Sequence, residues 1–299
     1  MATDLNAGGW FLLGAPWDCS ASGRGEAEAP RALRAAGLDV LVSTDLGDAS
    51  IRIADSRREA ETGILALDDT IRAAGALADA LSRALHAHPG CRPLVVGGDC
   101  SILLGILPAV RQAIGPTGLW FVDGHPDYQD GPSSGTGETA DMDLALVTGD
   151  GPASLIGLAG DVPMVDAGDA VLIGHRTGGL DDAANAELAR VPQRMAQISA
   201  PVVLHDPDAA GARAAALLAD PGAGSWLHLD LDVLDPQSMP AVTYPEPDGP
   251  DWEQLTALLL PLARSPRLLG VSVADFRPDL DPDGEHARRI VDLLVRVLP

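Results

Sequence analysis

Short apolar runs alternate with longer amphipathic stretches along the 299-residue chain. Most of the runs are apolar on successive residues, which is typical of strands buried on both faces of a parallel sheet. The pattern predicts strands at residues 10–14, 39–43, 94–97, 119–123, 170–174, 201–205, 226–232 and 268–273. It predicts helices near residues 26–36, 57–87, 101–113, 182–198, 207–219, 251–264 and 284–298.

This alternation of strand and helix predicts an α/β fold with three layers, in which helices cover both sides of a mainly parallel, roughly eight-stranded sheet. No linker-like change of composition, internal repeat or low-complexity tract interrupts residues 1–299. We therefore expect a single domain. In open α/β sheets the functional site lies beyond the carboxyl ends of the strands, so the residues that follow each apolar run are the candidates for chemistry.

Two predicted strand ends carry acids and histidine at alternate positions. Residues 123–127 are Asp-Gly-His-Pro-Asp, and residues 228–232 are His-Leu-Asp-Leu-Asp. Alternation along an extended chain places such side chains on one side, and carboxylates gathered there repel one another unless a cation neutralises them. One imidazole among carboxylates suits Mn²⁺ best, with Zn²⁺, Co²⁺ or Ni²⁺ as alternatives. The candidate metal ligands are Asp123, His125, Asp127, Asp230 and Asp232.

Composition restricts the partners of the protein. A formal net charge of -23 argues against nucleic acid or an anionic membrane as a partner, because both require a basic face, and it favours cations. The sequence contains no lysine, which excludes Schiff-base and phosphate-loop lysine chemistry. Three cysteines without zinc-finger spacing, and no apolar stretch long enough to cross a bilayer, lead us to expect a cytoplasmic protein.

Together with several shorter segments, the two motifs resemble the ureohydrolase family of arginases and agmatinases. The family signatures are Asp-Ala-His-x-Asp and Ser-x-Asp-x-Asp-x-x-Asp-Pro, which are similar to residues 123–127 and 228–236 of this chain. Shared framework segments include Gly-Ala-Pro at 14–16, Arg-Gly at 24–25, Gly-Gly-Asp at 97–99 and Ile-Gly-His-Arg at 173–176. The resemblance covers nearly the whole chain and implies an arginase-like fold.

The resemblance also implies a reaction. Family members hold two manganese ions and use a hydroxide between them to release urea and an amine from a guanidinium. By this resemblance Asp123 and Asp230 bridge the two ions, His125 and Asp232 complete one site, and Asp127 ligates the other ion and holds the hydroxide. The family further implies a small cationic guanidino substrate and a homo-oligomer, either a trimer or a hexamer.

The chain departs from the family pattern at the first metal. The family segment Gly-Gly-Asp-His-Ser supplies a histidine there, whereas this chain has Cys100 at that position, which makes Cys100 a sixth candidate ligand. A thiolate is softer than imidazole and a poor partner for Mn²⁺. The first site therefore either prefers a softer metal or is often empty, and the alternative is a buried cysteine that packs as a small hydrophobic residue.

The substrate side also differs from arginases. Their Ser-Gly-Asn-x-His-Gly loop aligns with residues 136–141, where Thr136 and Glu138 become candidate substrate-binding residues and the proton-shuttling histidine is missing. We expect Glu138 to repel an α-carboxylate, which disfavours free arginine. Asp275 replaces the glutamate that pairs with the guanidinium, and His228 or His175 is a candidate proton carrier.

Three functional hypotheses remain open at this point. The leading one is a metal-dependent hydrolase of a guanidino compound other than free arginine, such as an agmatine-like amine, an acylated or hydroxylated guanidine, or an arginine side chain in a larger molecule. The second is a single-metal amidohydrolase similar to the histone deacetylases, which would use Asp123, His125 and Asp230. The third is a catalytically weakened family member that acts as a binding or regulatory protein.

Overall fold

In the computed structural model of the protein, which describes residues 9–218 and 224–298, eight strands form one sheet. The strands are β1 Trp10–Ala15, β2 Thr44–Asp48, β3 Arg92–Gly97, β4 Gly118–Val122, β5 Ala170–Ile173, β6 Ala196–Ile198, β7 Ser225–Asp230 and β8 Leu268–Ala274. Their order across the sheet is β2-β1-β3-β8-β7-β4-β5-β6, and every neighbouring pair is parallel. The predicted parallel sheet is confirmed.

Helices cover both faces of this sheet. They are α1 Ala29–Ala35, α2 Leu67–Ala87, α3 Leu103–Ile114, α4 Asp143–Val147, α5 Ala153–Ile156, α6 Asp182–Arg190, α7 Ala200–His205, α8 Pro207–Ala216, α9 Trp252–Ala263 and α10 Glu285–Val297. The last residue of the helix predicted at 207–219 lies outside the described residues. Within the described part of the chain, no helix combines the length and apolarity needed to span a bilayer.

Alternate residues of a strand serve two separate hydrophobic cores. In β1, Leu12 joins the core that contains Leu33 of α1 and Ile290 of α10. Phe11 joins the opposite core, together with Leu77 of α2. Because the inner strands of this sheet are buried on both faces, they are apolar on successive residues, which is why the sequence pattern located most of the strands. The predicted three-layer architecture is therefore confirmed.

The strand predicted at residues 39–43 is wrong. A 3-10 turn covers Leu38–Leu41, and the strand follows at Thr44–Asp48 on the edge of the sheet. Leu38 is fully buried in the hydrophobic core, which accounts for the apolar run. By contrast β2 is mostly exposed and carries two aspartates, as is common for an edge strand open to water.

The strand predicted at residues 201–205 is also wrong, because Ala200–His205 is helix α7. Pro201 lies in its first turn, where a missing backbone N–H costs no hydrogen bond. The neighbouring strand is the three-residue segment Ala196–Ile198, at the end of the predicted helix 182–198, which stops at Arg190. The long helix predicted from residue 57 begins only at Leu67.

Candidate active site

The candidate ligands lie at the carboxyl ends of three central strands, β3, β7 and β4, and Asp275 follows β8, which lies between β3 and β7 in the sheet. The structure brings all six predicted ligands together. Ligand atoms of Cys100, Asp123 and Asp127 lie within 4.8 Å of one another, and the same holds for Asp123, His125 and Asp232. Asp230 joins a third such group with Asp232 and Asp275. Residues separated by up to 175 positions in the sequence thus form one cluster.

The two motifs do not stay extended after their strands, which differs from the geometry expected from alternation. A 3-10 turn follows Asp230, whose Oδ1 accepts the N–H of Asp232 at 2.7 Å. The Asp123 Oδ1 accepts the N–H of His125 at 2.6 Å, and Asp127 has a left-handed backbone with φ 44°. Each loop therefore folds back on its own acid, and this fixes the direction of the carboxylates.

The electrostatics of the cluster call for a cation. Burial, followed by repulsion from the neighbouring carboxylates, raises the pKa of Asp123, Asp127 and Asp230 well above the usual carboxyl range. The Oδ2 of Asp123 is buried without a hydrogen-bond partner among the described residues. Divalent ions would satisfy this oxygen and remove the repulsion, so the residues present fit a metal centre.

His125 and Asp232 form the one compensated pair of this cluster. The His125 Nδ1 lies 2.8 Å from the Asp232 Oδ2. Burial alone would lower the pKa of His125, but the charge and hydrogen bond of Asp232 outweigh it and raise the pKa to about 9. Burial raises the pKa of Asp232, and His125 then brings it below the usual range. These shifts favour the charged forms of both groups, whereas a bound ion would take the neutral imidazole.

Cys100 and His228 lie next to Asp230 at the base of the cluster. The Cys100 Sγ donates a hydrogen bond to the Asp230 Oδ2, and burial followed by repulsion from Asp230 raises the pKa of the thiol. His228 is fully buried on β7, and burial lowers its pKa to about 3. Its ring does not line the cavity that opens at the cluster. His175, the other candidate proton carrier, is also buried and does not line this cavity.

A cavity of about 240 Å³ opens above the cluster, and it is smaller than the roughly 300–1,000 Å³ of typical ligand pockets. The predicted substrate-binding residues Thr136, Glu138 and Asp275 all line it. Ten carboxylates line the cavity, against one guanidinium and one imidazole. Even with two divalent ions bound, the cavity would keep a negative charge, which suits a cationic ligand.

Several hydrogen-bond donors of the cavity are already bound by acids of the protein. Both terminal nitrogens of Arg24 donate to Glu138, at 3.0 and 2.7 Å, although these residues are far apart in the sequence. Thr136 donates its hydroxyl to Asp141 at 2.6 Å. Glu138, which the sequence predicts to repel a carboxylate, therefore also pairs with the one guanidinium that lines the cavity. Two further pairs of this kind are Thr243–Glu26 and Gln129–Glu187.

Asp275 follows β8 directly and lies at the wall of the cavity. Its backbone is left-handed, with φ 59°, and its N–H donates to the carbonyl of Gly98 at 2.8 Å. The carboxylate accepts the N–H of Thr243 at 3.0 Å. Burial, followed by repulsion from Asp232, raises the pKa of Asp275 well above the usual range. A bound cation near Asp275 would relieve this repulsion, as expected for a group that pairs with a guanidinium.

Several cavity residues have no role that the sequence predicts. Arg24 stands in the Arg-Gly framework segment, which gave a signal but no function. Glu26, Glu187, Tyr244 and Glu246 also line the cavity, and they lie outside both ligand motifs. They reach the cavity through tertiary contacts, such as the acceptance of the Tyr128 N–H by Glu187 at 2.9 Å. Spacing along the sequence contains no signal for such contacts.

Comparisons with known proteins identify similar sequences and a similar fold. A sequence model described as the arginase family matches residues 9–298. The arginase of Brevibacillus brevis is 30% identical over 297 residues, covering 96% of each chain. The N(omega)-hydroxy-L-arginine amidinohydrolase of Streptomyces lavendulae is 30% identical over 202 residues, covering 68% of this chain and 66% of that protein. The solved structure of Bacillus caldovelox arginase has a TM-score of 0.86 at 26% identity and covers 97% of this chain and 98% of its own.

Proposed function

Because the chain belongs to the arginase family, whose members are hydrolases that act on amidines, we propose that it hydrolyses a C–N bond of a guanidino compound other than free arginine. The products would be an amine and either urea or a substituted urea. The acidic cavity supports a cationic substrate, and its small volume supports a small one.

The main support for excluding free arginine as the substrate is that Arg24 already donates its hydrogen bonds to Glu138. An α-carboxylate needs a cationic or hydroxyl donor, and both terminal nitrogens of Arg24 already donate to a carboxylate of the protein. The hydroxyl of Thr136 is engaged by Asp141 in the same way. A substrate carboxylate would have to displace one of these acids, whereas an amide or a hydrogen at that position would not.

The metal centre in this proposal uses the six clustered residues Cys100, Asp123, His125, Asp127, Asp230 and Asp232. Two divalent ions there would supply Lewis acidity and activate water near neutral pH. The carboxylates of the chain would balance the positive charge of these ions and would repel competing anions from the cavity. The physiological metal we favour on the family pattern is Mn²⁺ in the oxygen-rich part of the cluster.

Two acids have distinct roles in the proposed reaction. Asp275 binds and orients the guanidinium through its buried carboxylate, which lies next to Asp230 and Asp232. Asp127 accepts a hydrogen bond from the attacking water and so directs it at the guanidinium carbon. Both side chains project from left-handed backbone positions, which hold them toward the cluster.

A hydroxylated guanidine is the substrate class that one relative favours. The Streptomyces lavendulae relative is named for N(omega)-hydroxy-L-arginine, whereas the Bacillus and Brevibacillus relatives are named arginases. Arginine and its hydroxylated form must therefore both be measured. Arginine and argininamide form a matched pair that differs only at the carboxylate.

The test compares kcat/KM for arginine, argininamide, agmatine and N-hydroxyarginine with the Mn²⁺-loaded and Co²⁺-loaded protein. Argininamide should exceed arginine by about tenfold, the effect of one charged hydrogen bond. Glu138→Gln removes the carboxylate that binds both terminal nitrogens of Arg24, and should raise the ratio of kcat/KM for arginine to that for argininamide by about tenfold. Glu28→Gln, at an exposed position, is the matched control and should leave the ratio unchanged.

Two outcomes would contradict the proposal. Arginine as the best substrate of the unmodified protein would refute the exclusion of free arginine. A metal-loaded protein that hydrolyses none of the guanidino compounds would refute the reaction itself, and would leave a deacetylase-like amidohydrolase or a binding protein.

A further inference from the structure

We infer that Cys100, His228 and Asp230 form one of the two metal positions, as a mixed sulfur–nitrogen–oxygen site that selects Zn²⁺ or Co²⁺ over Mn²⁺. The inference rests on the proposed function, because it takes the acidic cluster as the metal centre. It changes the role of His228 from candidate proton carrier to metal ligand. The imidazole that the family supplies from the loop after β3 is in this chain supplied by strand β7.

The geometry of the three side chains suits one ion. One ligand atom from each of Cys100, His228 and Asp230 lies within 4.8 Å of the other two. Sulfur, nitrogen and oxygen ligands lie roughly 2.0–2.3 Å from a zinc ion, so ligands of one ion lie within about twice that distance of each other. All three residues are buried in one place, where three protein ligands leave a fourth position for water or substrate.

The hydrogen bonds of His228 leave one ring nitrogen for a metal. The Nδ1 lies 2.8 Å from the Oγ of Ser272, whereas the Nε2 is buried with no hydrogen-bond partner among the described residues. The Ser272 Oγ also accepts the indole N–H of Trp226 at 2.8 Å, and a hydroxyl oxygen can accept two hydrogen bonds. With the Nδ1 proton donated to Ser272, the lone pair is on Nε2. Metal-binding histidines use this same arrangement.

The ring of His228 is also held in a fixed plane. It stacks on Phe121 of the neighbouring strand β4, with ring centroids 5.2 Å apart and an interplanar angle of 25°. The Nε2 of this ring is a buried polar atom without a hydrogen-bond partner among the described residues, and such an atom costs free energy until it gains a partner. A bound ion satisfies it, and the thiol of Cys100 then loses its proton to solvent to become the ligand.

The two parts of the cluster differ in chemical character, and this sets the metal preference. Thiolate and imidazole suit Zn²⁺ and Co²⁺, whereas a carboxylate-rich set suits Mn²⁺. Asp123, His125 and Asp232 form a second, carboxylate-rich group of the cluster. The structure therefore assigns unequal metals to the two positions, which the motifs of the family alone do not predict.

Cobalt titration of the metal-free full-length protein tests this inference. A thiolate bound to Co²⁺ gives strong charge-transfer absorption in the near ultraviolet, and metal content is measured on the same samples by mass spectrometry. The unmodified protein should develop this band, and Cys100→Ser should lose it. His228→Asn should weaken Co²⁺ binding at this position by at least about tenfold, and Ser272→Ala, which removes the partner of Nδ1, by roughly 10–100-fold.

Three variants complete the design. Two of them are controls that should leave the band unchanged. Cys91→Ser lies just before β3, at the end of the strand away from the cluster, and His175→Asn changes a buried histidine that belongs to none of the ligand groups. The exchange Cys100→His with His228→Ser moves the imidazole to the family position. It should abolish the band and raise Mn²⁺ content toward two ions per chain.

Failure of this inference can be distinguished from failure of the proposed function. Two bound Co²⁺ ions without charge-transfer absorption would overturn the ligand role of Cys100. Unchanged Co²⁺ affinity in both His228→Asn and Ser272→Ala would overturn the role of His228. In either case hydrolysis of guanidino compounds would leave the proposed function intact. A protein that binds no divalent metal and hydrolyses none of these compounds would overturn both.

Discussion

Asp127 and Asp275 are non-glycine residues with left-handed backbones, at φ 44° and 59°, and both face the ligand cluster. Such conformations cost about 1–3 kcal/mol and persist only when surrounding contacts fix them. The carbonyl of Asp127 accepts the N–H of Ala145 at 3.1 Å, and the N–H of Asp275 donates to Gly98 at 2.8 Å. These two backbone conformations lower the stability of the fold but orient two carboxylates of the site. This supports the functional roles proposed for them.

Glu26 gives a pH-dependent prediction at the residue scale. Burial, then repulsion from Asp99, raises the pKa of Glu26 from 4.5 to about 7, despite the opposing effect of Arg24. The folded state thus binds this proton more tightly than the unfolded chain. The stabilising contribution is complete below about pH 4.5 and is lost as the pH rises through about 7.

Glu26→Gln, a neutral isostere, should remove this dependence. We compare the Tm of the variant minus the Tm of the unmodified protein at each pH. This difference should increase by several degrees from about pH 5 to about pH 8. Thermal unfolding with saturating metal measures it, and Glu28→Gln serves as the exposed control. A difference in Tm that stays constant over this range would show that Glu26 does not titrate there.

Some features of single residues could be predicted from the sequence, and others could not. The acids at residues 123, 127, 230 and 232 were predictable, because each follows an apolar strand that is recognisable by itself. The pairing of Arg24 with Glu138 was not, because it joins positions 114 apart through the tertiary fold. The same holds for the hydrogen bond between His228 and Ser272 on the adjacent strands β7 and β8.

At the scale of elements, the loop after β3 depends on close backbone packing. A Cβ atom at Gly98 would lie 1.6 Å from the carbonyl oxygen of Trp17, a contact that neither backbone can relieve locally. Asp99 and Cys100 follow directly, and Asp99 accepts the N–H of Cys19 at 2.6 Å. The position of Cys100 therefore depends on the absence of a side chain at residue 98.

Two glycine-to-alanine substitutions test this dependence. Gly98→Ala should lower the free energy of unfolding by about 3 kcal/mol or more, because it forces two backbone segments apart. Gly75→Ala lies in the middle of α2 with no atom within 4 Å of the new Cβ, and should raise it by about 0.5–1 kcal/mol. Urea denaturation measures both. Equal effects of the two substitutions would contradict the packing described at Gly98.

The elements that sequence analysis missed are the two edge strands. Central strands such as β3 and β4 are buried along their whole length, so an apolar run identifies them. The edge strand β2 is mostly exposed and polar, and β6 has only three residues. Neither has an apolar pattern of its own, and the apolar runs nearby belong to a 3-10 turn and to helix α7. A hydrophobic pattern reports burial, and none of the residues of β2 is buried, whereas in β6 only Ile198 is.

At the scale of the whole molecule, the net charge and the lining of the cavity both favour cations. The net charge of -23 gathers cations from solution, and ten of the acids converge on one cavity at the carboxyl edge of the sheet. Such a concentration of buried carboxylates destabilises a metal-free protein, because their pKa values are raised. Bound metal should therefore contribute to stability and activity together.

Metal removal and return, followed on one sample, tests this account most directly. The number of bound ions, the Tm and the rate of guanidino hydrolysis should fall together on chelation and recover together when metal is added. The stabilisation should reach about 2.7 kcal/mol at a free metal concentration of about 100 Kd. Asp230→Ala should show none of these three recoveries. Undiminished hydrolysis by the metal-free protein, or a Tm that does not respond to metal, would contradict the account.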